Sequence, residues 1–264
     1  LDHLRRTTLD LSALEILVLD EADEMLDMGF ADDLEAILTT TPSTRQTALF
    51  AATMAPRIAS IAERHLRKPE RITVKAEKRA PGKMPQIRQA AYIVSRGQKG
   101  FALGRIREFE DPASAIVFCR TKHRANRLAD TLVREGIHAD RIHGNRSQGQ
   151  RTQALAAFKS GRVPVLVATD IAARGIDVDA LGHVVNFDVP LVADDYIHRV
   201  GRTGRAEATG EAFTFVSPEE RNELAAIERA VGRTLPRVTV PDFDYNARPA
   251  ARRRESCDPG RRDR

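Results

Sequence analysis

Short apolar runs alternate with segments of helical period along most of this chain, and that alternation constrains its fold more than any other feature. Ile16–Leu19, Ala115–Cys119, Val163–Thr169, His183–Phe187 and Ala212–Val216 are runs with few interruptions, as expected of strands buried on both faces of a sheet. Between them, apolar residues recur at helical spacing, for example over Lys122–Glu135, Ser147–Lys159 and Glu219–Val231. Strand and helix in alternation predict an α/β protein with parallel sheets. Further strands are expected at Thr47–Ala51, Arg71–Val74, Ala90–Val94 and Ala139–His143. Helices are expected through Leu26, Phe30, Leu34, Ile37 and Leu38, and again through Ile58, Ile61 and Leu66.

Lys75–Gln86, KAEKRAPGKMPQ, lacks apolar periodicity and carries two prolines, so it reads as a linker between two domains. Its Gly82-Lys83 pair is not a phosphate loop, because Met84 stands where Ser or Thr is needed and Glu77 where the first glycine belongs. The expected organisation is a first domain over 1–74, the linker over 75–86, a second domain over 87–240 and a basic disordered tail over 241–264. The second series has enough strands for an independent core, whereas 1–74 offers only three.

Composition places the chain among soluble globular proteins, with 42% hydrophobic and 30% charged residues. No apolar run reaches the length of a membrane span, and no signal peptide opens the chain. Cys119 and Cys257 stand far apart without metal-ligand spacing, which points to a reducing, cytoplasmic setting. Net charge is +5, and residues 246–264 hold seven Arg against three acids, so +4 lies in the tail and +1 in residues 1–245. An Arg-rich terminus of this kind attracts nucleic-acid phosphates without sequence preference.

Three stretches carry chemistry. LVLDEAD, Leu17–Asp23, is a strand running into acids, and ligands of open α/β sheets sit beyond the carboxyl ends of strands. Acids there can hold Mg²⁺ and polarise a water, or can form a solvated acidic turn. In Val165–Asp177, Thr169 and Asp170 end a strand, Gly175 permits close backbone approach, and Asp177 can accept hydrogen bonds from a ribose. In HRVGRTGR, His198, Arg202 and Arg205 are spaced to share a helix face, and Gly201 and Gly204 end the helix so that arginine can meet phosphate. Arg120 in FCRTK, and Gln148 with Arg151 near a helix N-terminus, add weaker polyanion signals.

As a set, DEAD at 20–23, AATM at 51–54, IVFCRTK at 116–122, HGNRSQGQR at 143–151, ATDIAARGIDV at 168–178 and YIHRVGRTGR at 196–205 resemble the DEAD-box RNA helicases over about residues 1–240. The HGNRSQGQR wording is similar to the bacterial RhlE-like subgroup. The resemblance implies two RecA-like domains that close on ATP, Mg²⁺ and RNA, held by its backbone with little sequence specificity. It makes Asp20 the Mg²⁺-side carboxylate, acting through water, and Glu21 the base that orients the attacking water. It couples Asp23 to His198 and makes Arg202 and Arg205 the arginine fingers. Gly175 and Asp177 would meet the nucleotide. Arg120, Gly144, Gln148, Arg151, Thr169, Asp170 and Arg174 would form the RNA side.

Two departures follow. The family's phosphate-binding loop precedes the DEAD strand and has no counterpart in these residues, so the first domain is expected to be incomplete, and Leu1 in place of Met reads as a cut edge. This chain alone is therefore expected not to be ATPase-competent. The family's Ser-Ala-Thr is Ala51-Ala52-Thr53, so one hydroxyl that could serve Asp23 is replaced by a methyl group. The competing reading is a non-catalytic RNA-binding or partner-docking module built on 87–240.

Overall fold

The computed structural model describes residues 1–74, 87–110, 112–173, 181–204 and 210–246. The chain divides into two compact units, Leu1–Glu77 and Lys78–Arg264. The expected linker, residues 75–86, lies outside the described residues.

In the first unit a short helix, α1 (Asp2–Arg5), precedes β1 (Ile16–Leu19), α2 (Ala22–Asp27), α3 (Ala31–Thr39), β2 (Gln46–Leu49) and α4 (Pro56–His65). β1 and β2 pair in parallel, Ile16 opposite Gln46 and Leu19 opposite Leu49. The core lies on one face of this ribbon, where Leu19, Leu26, Leu34, Leu38, Ile58 and Ile61 are buried and Leu17 and Leu49 pack against them. Ile16 and Val18, on the other face, are 62% and 57% exposed.

Two expectations fail in this unit. The apolar series 26–38 is not one helix: Gly29 adopts φ +82°, and the Phe30 N–H reaches back to the Met25 carbonyl, closing α2 with a left-handed glycine before α3 begins. Arg71–Val74 is not a strand. Ile72 and Val74 are 81% and 89% exposed, and no neighbouring strand among the described residues takes up their backbone groups, so β-propensity alone does not order them.

The second unit runs β3 (Ile87–Ile93), α5 (Lys99–Glu110), β4 (Ala115–Phe118), α6 (Lys122–Arg134), β5 (Ala139–Ile142), α7 (Gln148–Lys159), β6 (Val165–Ala168), α8 (Asp170–Ala173), β7 (His183–Asn186), α9 (Ala193–Val200), β8 (Gly210–Val216), a 3₁₀ turn over Pro218–Glu220, α10 (Arg221–Val231) and β9 (Arg237–Val238). Seven strands form one parallel sheet in the order β5-β6-β4-β7-β8-β3-β9. Successive residues of each central strand feed opposite layers. Ile116, Phe118, Leu166 and Val184 join Phe158 of α7, Tyr196 of α9 and Ile227 of α10. Val117, Val165, Val167 and Val185 join Leu103 and Ile106 of α5 and Leu128 and Leu132 of α6. Both faces are thus covered, which explains the unbroken apolar strands.

Residues 241–246 were expected to open the tail, but they dock on this unit. Phe243 packs against the α5–α6 layer, and the Gln98 amide donates to the carbonyls of Asp244 and Tyr245. The aromatic rings outweigh the local polarity, and the Arg-rich residues 247–264 lie outside the described residues. No helix among the described residues is long and apolar enough to cross a membrane.

Candidate functional site

In the first unit the carboxyl end of β1 is stitched to that of β2. The Phe50 N–H donates to the Leu19 carbonyl at 2.7 Å, and the Ala22 N–H to the Phe50 carbonyl at 3.0 Å. These bonds bring 20–23 beside 51–53. The Thr53 N–H and hydroxyl both donate to Asp23 Oδ2, at 2.8 and 3.2 Å, and the Glu24 N–H donates to Oδ1. Partial burial works to raise the Asp23 pKa, but the Thr53 and backbone donors outweigh it and hold the carboxyl below its usual range. Asp20 and Glu21 face solvent, with the Glu21 N–H donating to Asp20 Oδ1 at 3.0 Å. Glu21 adopts the left-handed conformation, φ 52° and ψ 44°, at the start of α2. A side chain there costs about 1–2 kcal/mol, strain of the kind that collects at functional positions. Ala51 is partly buried against the apolar core, so its methyl group packs where a hydroxyl would need a partner.

In the second unit the loops that leave the carboxyl ends of β4, β5 and β6 meet. Ser147 caps α7 in a capping box with Gln150, and Thr121 caps α6 through the Arg124 N–H. The Lys122 ammonium donates to Asn145 Oδ1, the Thr169 N–H to the Ile142 carbonyl, and Arg151 to the Ala172 carbonyl and to Gln148. Arg120, Gly144, Gln148, Arg151, Thr169 and Asp170 therefore share one edge of the sheet, with Gly144 and Gln148 exposed. His143 is buried and neutral: burial and nearby arginines lower its pKa, and the Asn145 N–H donates to its Nδ1 while Nε2 meets Asn126 Oδ1.

His198 and Arg202 line a depression with Phe118, Asp170, Ala173, Asp195 and Arg199. The helix does not run far enough to align His198 with Arg202, because α9 stops at Val200 and Gly201 caps it. Arg202 sits in the following turn. That turn is fixed by the Thr203 hydroxyl, which donates to the Leu181 carbonyl, and by Gly210 of β8. A Cβ at Gly210 would overlap Thr203 Oγ1 and stand 2.5 Å from the Gly204 nitrogen. Arg174, Gly175, Asp177 and Arg205 lie outside the described residues.

Sequence reasoning missed the buried charges beneath this edge. Arg199 is 2% exposed and grips both Asp170 oxygens, at 2.5 and 2.8 Å, while Nη1 donates to Asn186 Oδ1 and to the Asp188 carbonyl. Its guanidinium also stacks over Phe118. This clamp ties α9 to the ends of β6 and β7, and it commits the Asp170 carboxylate inward. Asp188 accepts from the Arg120 N–H and pairs with Arg124 at 2.8 Å. Lys99, fully buried, pairs with Glu220 and donates to the Phe187 carbonyl. Burial pushes the Lys99 pKa down, partly offset by Glu220; burial acts to raise that of Glu220, and Lys99 turns the balance so that it is lowered. A visible signal did exist for Asn186 and Asp188, polar residues inside the apolar run VVNFDVP.

Two α/β units with acids and cations at the carboxyl ends of parallel strands define a class, and structural comparison identifies it as RecA-like helicase domains. Saccharomyces cerevisiae Dbp5 bound to RNA and ADP BeF3 superposes with a TM-score of 0.75 at 32% identity, covering 91% of this chain and 63% of that one. Escherichia coli DEAD-box protein SrmB, bound to the regulator of ribonuclease activity A, superposes with a TM-score of 0.59 at 34% identity, covering 63% of this chain and 98% of that one. The family model "DEAD/DEAH box helicase" matches residues 1–61, and "Helicase conserved C-terminal domain" matches residues 99–207. The chain belongs to the DEAD-box helicase family. Among its relatives, the DEAD-box ATP-dependent RNA helicase CshA of Bacillus cereus (strain ATCC 10987 / NRS 248) is 47% identical over 92% of this chain and 46% of the relative. CshA of Bacillus subtilis (strain 168) is 46% identical over 92% and 49%. The chain thus spans about half the length of these curated relatives.

Proposed function

We propose that this chain works as part of an ATP-dependent RNA helicase, in which ATP hydrolysis is coupled to RNA duplex unwinding or remodelling in the cytoplasm. The observation that carries the reading is the meeting of residues 118–122, 143–151 and 169–173 at one edge of the second sheet. Because β5, β6 and β4 are neighbours in the parallel sheet, the segments after them meet at its carboxyl edge, where Arg120, Gly144, Gln148, Arg151 and Thr169 would track a phosphate backbone. Contacts of this type carry little base information, so RNA binding would be nearly independent of sequence. Since Asp170 gives its carboxylate to Arg199, its share in RNA binding passes through the backbone. By resemblance to the family motif, Arg174 would extend the RNA side.

For ATP, the exposed Asp20 carboxylate suits a Mg²⁺ ion held through water, with only its Oδ1 taken by a backbone N–H among the described residues. Bound Mg²⁺ supplies charge neutralisation between phosphates. Glu21 would orient the attacking water, and its strained backbone fixes the carboxylate's starting direction. Asp23, held ionised by Thr53, would couple to His198, while Arg202 and Arg205 would meet developing phosphate charge. Gly175 and Asp177 would approach the nucleotide. The wording of 143–151 supports a reading near the bacterial RhlE-like subgroup, and this is compatible with the similarity to CshA.

The test is RNA-stimulated phosphate release by the chain joined to a family segment that carries the phosphate-binding loop. Wild type should respond to RNA, and Glu21→Gln should abolish the response while RNA binding persists. An unaltered rate in Glu21→Gln would refute the assignment. The polypeptide Leu1–Arg264 alone should show no appreciable RNA-stimulated activity.

A further inference from the structure

We infer that Glu220 is a positioning residue for RNA binding: its buried carboxylate, balanced inward by Lys99, sets the Arg120 guanidinium at the strand-end edge. This rests on the RNA-binding reading above. The two oxygens of Glu220 face different groups. Oε2 takes the buried Lys99 ammonium and the Ser217 N–H, the latter at 2.9 Å. Oε1 points the other way and lies 3.8 Å from Arg120 Nη2. The same Arg120 nitrogen donates to the Val189 carbonyl at 2.8 Å, and the Arg120 N–H is held by Asp188. Arg120 is therefore gripped by its backbone and its head, while its side chain stays 36% exposed.

Charge adds a second argument. Lys99, Arg120 and Arg124 face Glu220 and Asp188, three cations against two anions. The surplus of one positive charge falls on Arg120, the cation with most access to solvent. Stability gives little reason to keep such a cluster. A buried ion pair is often no better than a well-packed apolar pair of similar volume, because removing both charges from water is costly. An apolar pair cannot place a carboxylate oxygen beside Arg120. Glu220 lies outside every stretch that resembles a helicase motif, and it follows Lys99 in the chain by 121 residues.

The test measures binding of a fluorescent oligouridine to the whole chain across a range of salt, with Arg120→Ala, the paired Lys99→Met/Glu220→Gln, and the triple variant. The paired change removes both buried charges together, so neither is stranded. Arg120→Ala should reduce the slope of log affinity against log salt by about 0.7, one phosphate contact on a single strand. Lys99→Met/Glu220→Gln should weaken RNA binding several-fold in the wild-type background and not at all in the Arg120→Ala background. Any change in thermal stability should be the same in both backgrounds, which separates positioning from folding. Equal weakening in both backgrounds, or none in either, overturns the inference. If the paired variant does not fold, Glu220→Asp carries the same comparison, since it keeps a charge for Lys99 but draws the carboxylate back from Arg120. RNA binding by wild type with no effect of Arg120→Ala sinks the inference alone; no salt-dependent binding by wild type sinks the RNA-binding reading with it.

Discussion

The two sheets of this protein are built from similar words and solve different problems. β1, Ile-Leu-Val-Leu, and β4, Ala-Ile-Val-Phe, are both short and apolar. All four residues of β4 are buried, because α5 and α6 cover one face of its sheet and α7, α9 and α10 the other. In β1 only Leu19 is buried, and Ile16 and Val18 stand in solvent beside a single partner strand. An apolar strand reports that both faces are suited to burial. Whether both are buried depends on elements elsewhere, so similar local sequence can mark a core or an exposed face.

The largest expected expression of this contrast is in protease resistance. Limited proteolysis should digest residues 1–74 and leave a resistant fragment containing 87–246, because two strands and one apolar face give little protection against local opening. Equal survival of both halves would erase the distinction. Next in size are matched core truncations. Ile116→Ala, at a fully packed site, should cost about 2–5 kcal/mol in urea unfolding. Val18→Ala should stay within about 0.5 kcal/mol, as for exposed positions. Similar costs at both sites would mean that the bare face of β1 is covered in solution.

A smaller effect separates the units by pH. In the second unit, Arg237 lowers the pKa of Glu228; burial acts to raise those of Glu211 and Glu220, but Arg88 and Lys99 respectively bring them below the usual range. A carboxyl with a folded pKa below its unfolded one contributes stability in full above the unfolded value, about 4.3 for Glu, and loses it as pH falls through the folded value. Acidification below about pH 4 should therefore unfold the second unit along an acid limb that Arg237→Met makes shallower. An acid limb unchanged in that variant would remove Glu228 from the account.

How much of this was legible beforehand follows the same division. β4 and β6 could be read directly because both faces speak with one voice, and the starts of α6 and α7 because Thr121 and Ser147 carry their own capping chemistry. Arg71–Val74 could not, since strand propensity says nothing about whether a partner strand exists. The break at Gly29 was visible as a glycine, but the apolar period across it was the louder signal. At the candidate site, exposed acids and arginines could be proposed from residue type and spacing. Lys99, Arg199 and Glu220 could not, because a buried charge is intelligible only beside partners that the fold brings from far along the chain.

The smallest expected effect concerns Ala51. Ala51→Ser should lower the Asp23 pKa a little further if the new hydroxyl joins Thr53 at that carboxylate. A charged hydrogen bond of about 1.5–3 kcal/mol is discounted heavily here because water competes at an open edge. Carboxyl-carbon NMR titration of Asp23 in both versions decides it, and coincident titration curves would show that Thr53 acts alone.

Gly210 has a consequence for how this sequence can drift. It has no chemistry of its own, yet an added methyl group would collide with both the side chain and the backbone of the turn that follows Arg202. Trimming Thr203 to alanine would remove only the first collision, because the Gly204 nitrogen and α-carbon stay in the way. A compensating change at 203 is therefore insufficient, and the usual two-step route by which lineages exchange one residue pair for another is closed. A saturation library selected for function should return glycine at 210 whatever stands at 203, and the neighbouring Glu211 should vary more freely. A strand's first residue thus acts as a historical lock on a loop that it never contacts through a side chain.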